Sequence, residues 1–317
     1  CLLILASSCK KKESNTGLKI ISYPLSSDIP TLDPAVAYDV VSAAVLYQIH
    51  DQLFEYDYHK IPVTLKPLLA SSMPVVEKNG TRYTIKIKPN IKYHPHPLLT
   101  GRVVKAQDFI TALKRLAFKG SNSGGFWLVD GIVEGLNAWR EEVGTNIQKM
   151  LTTPISGAVA LDDTTLQIDL TRPRPQFLYA LSMTFLSPTP EELIVPAQNN
   201  LREGTPGTGP FILKKWTAQS EVILDKNNYY NASVTPTIDR IHFKIIPEGT
   251  TQWLNFQKSK LDILPLPKDE FSNAIAASGE LKPELVSNNI KLMTGDSNIY
   301  WWFAFNMKHP ILGKNKK

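Results

Sequence analysis

A dense cluster of glycine and proline at residues 204–210 runs directly into an apolar and basic stretch, and this joint constrains the fold more than any other part of the chain. It reads Gly204-Thr205-Pro206-Gly207-Thr208-Gly209-Pro210, then Phe211-Ile212-Leu213-Lys214-Lys215-Trp216. Glycines close to lysine invite a phosphate loop, but that loop requires Gly-x-x-x-x-Gly-Lys-Ser/Thr opening a helix. Here the sequel is a strand pattern, and Pro206 and Pro210 lack the amide N–H groups that would hold an anion. The joint is therefore read as a structural turn whose strand pairs inside a sheet. Prolines outnumber glycines, 23 to 17, which favours many short strands and fixed turns over long helices. At 317 residues the chain can build one large core or two sub-domains.

The net charge of +6 belongs to the ends of the chain. Lys10, Lys11 and Lys12 against Glu13, together with Lys308, Lys314, Lys316 and Lys317, account for all of it. A nucleic-acid face would need a basic stripe on the folded body, so no nucleic-acid partner is expected. Leu2-Leu3-Ile4-Leu5 followed by Ala6-Ser7-Ser8 reads as the apolar core and cleavage site of a secretory signal. Cys9 comes next, and Leu5-Ala6-Ser7-Ser8-Cys9 resembles the lipobox of bacterial lipoproteins, with Ala6 where that motif prefers leucine. Cys9 is the expected lipidation site; the other reading is a plain signal peptide with an incidental cysteine. Residues 1–9 are thus assigned to signal remnant and lipobox, and 10–17 to a polar tether. No cysteine follows Cys9, which removes disulfides and cysteine-based metal sites from the mature body. No later apolar run reaches the about 18 residues needed to span a bilayer.

Along the body, Leu18-Lys19-Ile20-Ile21-Ser22 reads as a first strand, followed by an extended, proline-bounded segment over residues 23–34. Asp39 is a candidate N-cap for a helix reaching about Glu55, with Val41, Val45, Ile49 and Leu53 on one stripe. Asn79-Gly80 between two runs signals a hairpin. A helix is expected from about Ala106 to Ala117, with Phe109, Leu113 and Leu116 on its inner face and Asp108 in its first turn. Residues 160–170 read as a turn and an alternating strand, and a short helix follows Pro173. Residues 238–246 alternate as a strand, 251–260 form an amphipathic helix, and Leu261-Asp262-Ile263 reads as a further strand.

Several of these pieces come in a characteristic order. Pro30-Thr31-Leu32-Asp33-Pro34, Leu53-Phe54-Glu55, Lys66-Pro67-Leu68-Leu69-Ala70, Tyr83-Thr84-Ile85-Lys86-Ile87, Tyr93-His94, Ala106-Gln107-Asp108-Phe109, Gly207-Thr208-Gly209-Pro210-Phe211 and Asp225-Lys226-Asn227-Asn228-Tyr229-Tyr230 follow one another. Together they resemble the solute-binding proteins of the peptide/nickel group of ABC importers, solute-binding family 5. The departures, Asp51-Gln52 for Glu-Gly, Pro95-His96-Pro97 for Asp-Gly and Lys105 for a threonine cap, fall in turns and caps. The resemblance implies a mixed α/β (α+β) fold, the first lobe of a type II periplasmic-binding-protein architecture with mixed sheets and flanking helices. It also implies that residues 18–305 form this lobe, that 306–317 cross into a second lobe outside the sequence, and that residues 10–317 alone bind peptide weakly or not at all. The partners implied are an oligopeptide ligand, ABC permease subunits and the membrane through a lipid anchor, with a monomeric protein in the periplasm or cell envelope.

No catalytic constellation is visible. The six histidines are scattered, and neither Gly-x-Ser-x-Gly nor His-Glu-x-x-His occurs. No catalytic residue, no cofactor and no metal are therefore expected. His94-Pro95-His96 is the one metal-like spacing, and the prolines around His96 favour loop packing. A secreted or surface-anchored hydrolase and a non-transport adhesion or chaperone-like lipoprotein remain the alternative classes. Residues 23–29 can offer backbone groups to a peptide added as a strand, which nominates Ser26, Ser27 and Asp28 for ligand binding. Ser123-Gly124-Gly125 before Phe126 and Trp127 allows close backbone approach and places two rings at a loop mouth. In the family an aromatic lies in this neighbourhood near the ligand, so Phe126 and Trp127 are nominated as well. Trp301 and Trp302 alternate faces, and Trp302 is taken as the one facing the cleft.

Overall fold

The computed structural model describes residues 17–230, 235–295 and 303–314. Cys9, Trp301 and Trp302 lie outside the described residues. In chain order the first half holds β1 (Ile20–Leu25), α1 (Val40–Ile49), β2 (Phe54–Asp57), β3 (Thr64–Pro67), β4 (Val75–Glu77), β5 (Arg82–Lys86) and α2 (Ala106–Ala117). Then come α3 (Leu136–Val143), α4 (Ile147–Thr152), β6 (Ala158–Asp162), β7 (Thr165–Asp169), α5 (Phe177–Ala180), β8 (Phe211–Thr217), β9 (Glu221–Lys226), β10 (Arg240–Ile245) and α6 (Gly249–Gln257). The chain divides into two compact units, residues 1–265 and 266–317. Within the second, α7 (Phe271–Ala274) and α8 (Pro283–Ser287) are joined by the bridge Ile275 to Leu281.

Two four-stranded sheets organise the first unit. One has the order β1-β10-β9-β8, with β1 parallel to β10 and the other pairs antiparallel. The strand that follows the 204–210 turn thus forms one edge and β1 the other. The second sheet, β4-β5-β7-β6, is antiparallel throughout. Its turn at Lys78, Asn79 and Gly80 has all three residues at positive φ, the conformation that Asn-Gly adopts most readily. Tyr83 and Ile85 on β5, with Leu166 and Ile168 on β7, alternate inward against Phe109, Leu113 and Leu116 of α2. That α2 runs over Ala106–Ala117 as expected follows from this period-3.6 stripe meeting a period-2 sheet face. Burial of each such side chain contributes about 1.5–3 kcal/mol.

Charges are buried on α2 as well. Asp108 accepts from the Lys105 amide (2.8 Å), the Tyr93 hydroxyl (2.8 Å) and Arg102 (2.7 Å), which ties the helix start to the preceding loop. Burial is the leading influence on this carboxyl and moves its pKa up despite those donors. Arg115, fully buried, makes a bidentate pair with Asp33 at 2.9 and 2.7 Å and also donates to Asn199 Oδ1 at 2.8 Å. Leu32, beside Asp33, belongs to the smaller core under the first sheet, whereas Leu116 belongs to the larger core. The ion pair therefore joins the two cores.

Two elements end differently from expectation. α1 stops at Ile49 rather than Glu55, because His50 turns extended and its N–H closes the last turn on Leu46 O. Residues beyond it are taken by β2. Leu261-Asp262-Ile263 is not a strand; Asp262 instead exchanges hydrogen bonds with Ser22, its Oδ2 accepting from Ser22 N at 2.7 Å and its N donating to Ser22 O at 3.0 Å. Those two bonds cap the exposed edge of β1 at that point.

Candidate ligand-binding surface

Asp39 is the N-cap of α1, accepting from Ser42 N at 2.8 Å with its own backbone extended. The residues on either side of it are exposed: Tyr38 is 62% exposed and Val40 85%. Next to Tyr38 lies the loop ahead of a short 3-10 turn at Phe126–Leu128. An added Cβ at Gly124 would sit 3.4 Å from the Tyr38 ring, and one at Gly125 only 2.8 Å from the Phe185 ring. Tyr38 itself packs on Phe185, with ring centroids 6.1 Å apart. Phe185 is thus a common floor for Tyr38 and the glycine loop, and glycine at 125 is what lets the loop press against it. Trp127 then projects from the loop, 58% exposed. Phe126 is half-buried with the Arg140 guanidinium 4.2 Å above its ring. Three large apolar side chains, Tyr38, Val40 and Trp127, therefore stand in water on one neighbourhood of the surface, and a patch of this kind marks an interaction site more often than an isolated exposed residue does.

The far end of α1 is held by the 204–210 turn. Gly209 N donates to Ile49 O at 2.8 Å, and His94 N donates to Gly207 O at 2.7 Å. Asn227 Nδ2 donates to Gly209 O at 3.0 Å, and His94 Nε2 lies 3.0 Å from the same oxygen. Asp51, buried, receives the Thr208 hydroxyl at 3.3 Å and the Tyr230 hydroxyl at 3.2 Å. Burial pushes the Asp51 carboxyl up to about 7, with Glu55 adding to the shift and the two hydroxyls and Lys88 opposing it. Burial also drives His50 down to about 3, helped by the neighbouring His94, and His94 down to about 4, so both imidazoles are neutral. A recess of about 240 Å³ opens beside this clasp between Tyr47, Tyr56, Tyr58, Glu55, Asp51 and Tyr230. A broader hollow of about 650 Å³ shares Glu55, Leu68, Pro210 and Tyr230 with it and adds Lys66, Lys88 and Phe211.

Of the residues nominated from sequence, Phe126 and Trp127 fall on the ridge just described. Ser26 and Ser27 are exposed immediately beyond the end of β1. Asp28 is partly exposed and its Oδ1 accepts from Gln219 N at 2.9 Å, which occupies that carboxylate oxygen in the β8–β9 turn. The segment from Ser26 to Tyr38 connects these positions to the ridge by chain continuity, pinned midway by Asp33 and Arg115. Thr208 and Gly209 line neither hollow. Tyr38 and Val40 were not singled out from sequence. An aspartate N-cap marks where the helix begins but not which way its flanking side chains point, so no local signal marked these two residues. Among the described residues no group of three or more His, Cys, Asp or Glu could hold a metal ion, and no helix is long and apolar enough to cross a membrane.

Comparison with known proteins places these features. The family described as bacterial extracellular solute-binding proteins, family 5 Middle, matches residues 64–317. Oligopeptide-binding protein AmiA of Streptococcus pneumoniae is 29% identical over 233 residues, 72% of this chain and 34% of AmiA. Dipeptide-binding protein DppE of Bacillus subtilis is 24% identical over 309 residues, 96% of this chain and 51% of DppE. The chain thus spans between a third and a half of the length of these curated relatives. Among solved structures, a periplasmic oligopeptide-binding protein of Borrelia burgdorferi superposes with a TM-score of 0.69 at 23% identity, covering 81% of this chain and 49% of that one. The murein tripeptide binding protein MppA of Escherichia coli gives 0.68 at 18% identity, covering 81% and 48%. The fold is accordingly that of part of a type II periplasmic binding protein, mixed α/β as expected from sequence.

Proposed function

We propose, from the premise that this chain belongs to the bacterial extracellular solute-binding proteins of family 5, that it captures oligopeptides for an ABC importer. The observation that carries the reading is the exposed ridge of Tyr38, Val40 and Trp127, large apolar side chains left mostly in water. Extended peptides suit such a ridge because backbone groups bond along a rim while rings cover alternate side chains. Ser26, Ser27 and Asp28 would contribute at the end of β1, and Trp302 is a further proposed contact. The ligand is bound and released without chemistry on it, so the protein is read as a receptor and not an enzyme. Closure of a second lobe over the ridge would exclude water from the peptide. Localisation follows the extracellular or periplasmic character of the family, with acylation of Cys9 holding a monomeric receptor at the membrane beside its permease.

The test is isothermal calorimetry of the full gene product with tri- to hexapeptides. Trp127→Ala and Tyr38→Ala should each weaken binding by about 2- to 30-fold, the range of about 0.5–2 kcal/mol at about 1.4 kcal/mol per decade. Ile61→Ser, on a distant exposed loop, should leave affinity unchanged. Undiminished binding by the Tyr38→Ala, Trp127→Ala double variant would remove the ridge from the site. Mass spectrometry of Cys9→Ser against wild type checks the anchor: the diacylglyceryl mass must disappear in the variant.

A further inference from the structure

The recess beside the 204–210 clasp has a composition that peptide capture on the ridge does not use. Tyr47, Tyr56 and Tyr58 line it, and Tyr56 lies 6.1 Å from Tyr58 between ring centroids. Tyr179 backs Tyr56 at 6.0 Å. Burial, with Tyr56 and Tyr58 nearby, pushes the Tyr47 phenol up to about 12, so its ring stays neutral. Glu55 also lines the recess, 3.3 Å from Lys66, with both side chains partly solvated. Asp51 stands deeper, bonded to Thr208 and Tyr230. Of the surrounding cations, Lys60 is engaged by Asp57 at 3.3 Å, Lys66 by Glu55, and His50 is uncharged. Lys88 approaches Asp51 from the other hollow.

Tyrosine faces carry negative quadrupole density, and a cation within about 6 Å of them is attracted, more so where water is thinned. The Glu55 carboxylate, which Lys66 shares at 3.3 Å, lines the same recess and adds a charge of the same sense. We infer that the Tyr47, Tyr56 and Tyr58 recess binds a small organic cation, an alkylammonium or methylated ammonium group, held over the tyrosine faces and against the Glu55 carboxylate. A volume of about 240 Å³ is below the roughly 300–1,000 Å³ of drug-sized clefts, which fits a head group and excludes a whole peptide. An anion would meet Glu55 and Asp51 and gain nothing from the rings. An uncharged apolar group of the same shape would keep the packing but gain nothing from the ring quadrupoles or from the Glu55 carboxylate. The site is separate from the ridge and does not depend on peptide capture there.

The experiment uses the full chain, observed by tyrosine-ring NMR, titrated with four probes. Choline is paired with its neutral carbon isostere 3,3-dimethylbutan-1-ol, and n-butylammonium with butan-1-ol. Both cations should bind saturably and at least about tenfold tighter than their neutral partners, by about 1.4 kcal/mol per decade. The stronger of the two identifies the source, a methylated head group or a lysine-like amine. Tyr58→Leu, at the exposed hairpin tip, and Glu55→Gln should each weaken the cation by about 2- to 30-fold, and Tyr47→Leu serves as a further variant inside the recess. Equal binding of cation and neutral isostere overturns the inference, as does cation affinity that all three variants leave unchanged. No peptide enters these titrations, so their result is independent of the test of the ridge.

Discussion

Replacing Gly207 by alanine should cost more than any other single-methyl change in the first unit. A Cβ there would lie 2.0 Å from Ile49 O, 2.8 Å from Ile49 C and 2.9 Å from His50 Nδ1. Two of those three atoms are backbone at the end of α1, so relief requires the turn to retreat by at least about 1 Å, and overpacking of this kind costs about 1–3 kcal/mol. The retreat breaks or stretches two bonds, Gly209 N to Ile49 O at 2.8 Å and His94 N to Gly207 O at 2.7 Å. Each contributes about 0.5–1.5 kcal/mol net, more when a buried partner is left unsatisfied. The sum is a loss of about 2–6 kcal/mol, a large share of the roughly 5–15 kcal/mol that holds a typical domain. Urea unfolding followed by tryptophan fluorescence should show a lower midpoint at an unchanged slope. Gly131→Ala is the comparison, since nothing lies within 4 Å of its Cβ and only its positive φ of 63° opposes alanine; it should cost about 1–2 kcal/mol. A Gly207→Ala loss smaller than that of Gly131→Ala would refute the crowding argument.

Three further outcomes can be measured on the same protein. Arg115→Met leaves Asp33 buried and unpaired and should destabilise by about 3–5 kcal/mol, whereas Arg115→Met combined with Asp33→Leu should recover much of that loss in the same unfolding assay. Asp51 is protonated in the folded state up to about pH 7 but in the unfolded chain only up to about 3.9. Its stabilisation is therefore complete below about pH 4 and is lost as pH rises through 7, at up to about 1.4 kcal/mol per pH unit. Asp51→Asn should remove this slope, so its stability relative to wild type should rise steadily between pH 5 and 7.5 in urea titrations. His50 and His94, depressed to about 3 and 4, act in the opposite sense, favouring the fold above about pH 6.5 and losing that contribution as pH falls through their folded values. They are present in both proteins, so the difference between the two curves isolates Asp51. Lys86→Met should change stability by less than about 1 kcal/mol, because its contact with Asp162 at 3.9 Å joins two side chains more than half exposed.

Much of the architecture could be read locally. Period alone located α2, and the Asn79-Gly80 dipeptide located the β4–β5 turn, because each is decided by residues within a few positions of one another. What local pattern did not carry was pairing over long separations. β1 lies against β10, more than two hundred residues away, and Asp262 caps β1 at Ser22; no periodicity in either segment announces the other. The same limit applies to the site. Phe126 and Trp127 stood out beside glycines, but Tyr38 acquires its meaning only through Phe185, which supports it and the glycine loop together. The buried neutral histidines and the raised Asp51 carboxyl likewise depend on a turn contributed from residues 204–210, and nothing around residues 50–52 reveals it.

That turn and the exposed Tyr38 ridge are mechanically linked through α1. The helix has ten residues, about 15 Å at 1.5 Å per residue. Its first turn carries Tyr38 and Val40 beside the Asp39 cap; its last carbonyl, Ile49 O, is held by Gly209. The body between is anchored by Val45, Leu46 and Ile49 in the smaller core. A rigid helix gripped at one end transmits a shift there to the other. A displacement of about 1 Å forced by Gly207→Ala should therefore reach Tyr38, which rests on Phe185 with ring centroids 6.1 Å apart. Peptide affinity in the full gene product should fall in Gly207→Ala even at temperatures where the protein remains folded, although residue 207 is at the opposite end of α1 from the ridge. Gly131→Ala has no helix to push against and should bind peptide as wild type does. If both variants bind alike while Gly207→Ala is measurably less stable, the turn acts on stability alone and α1 does not transmit its position.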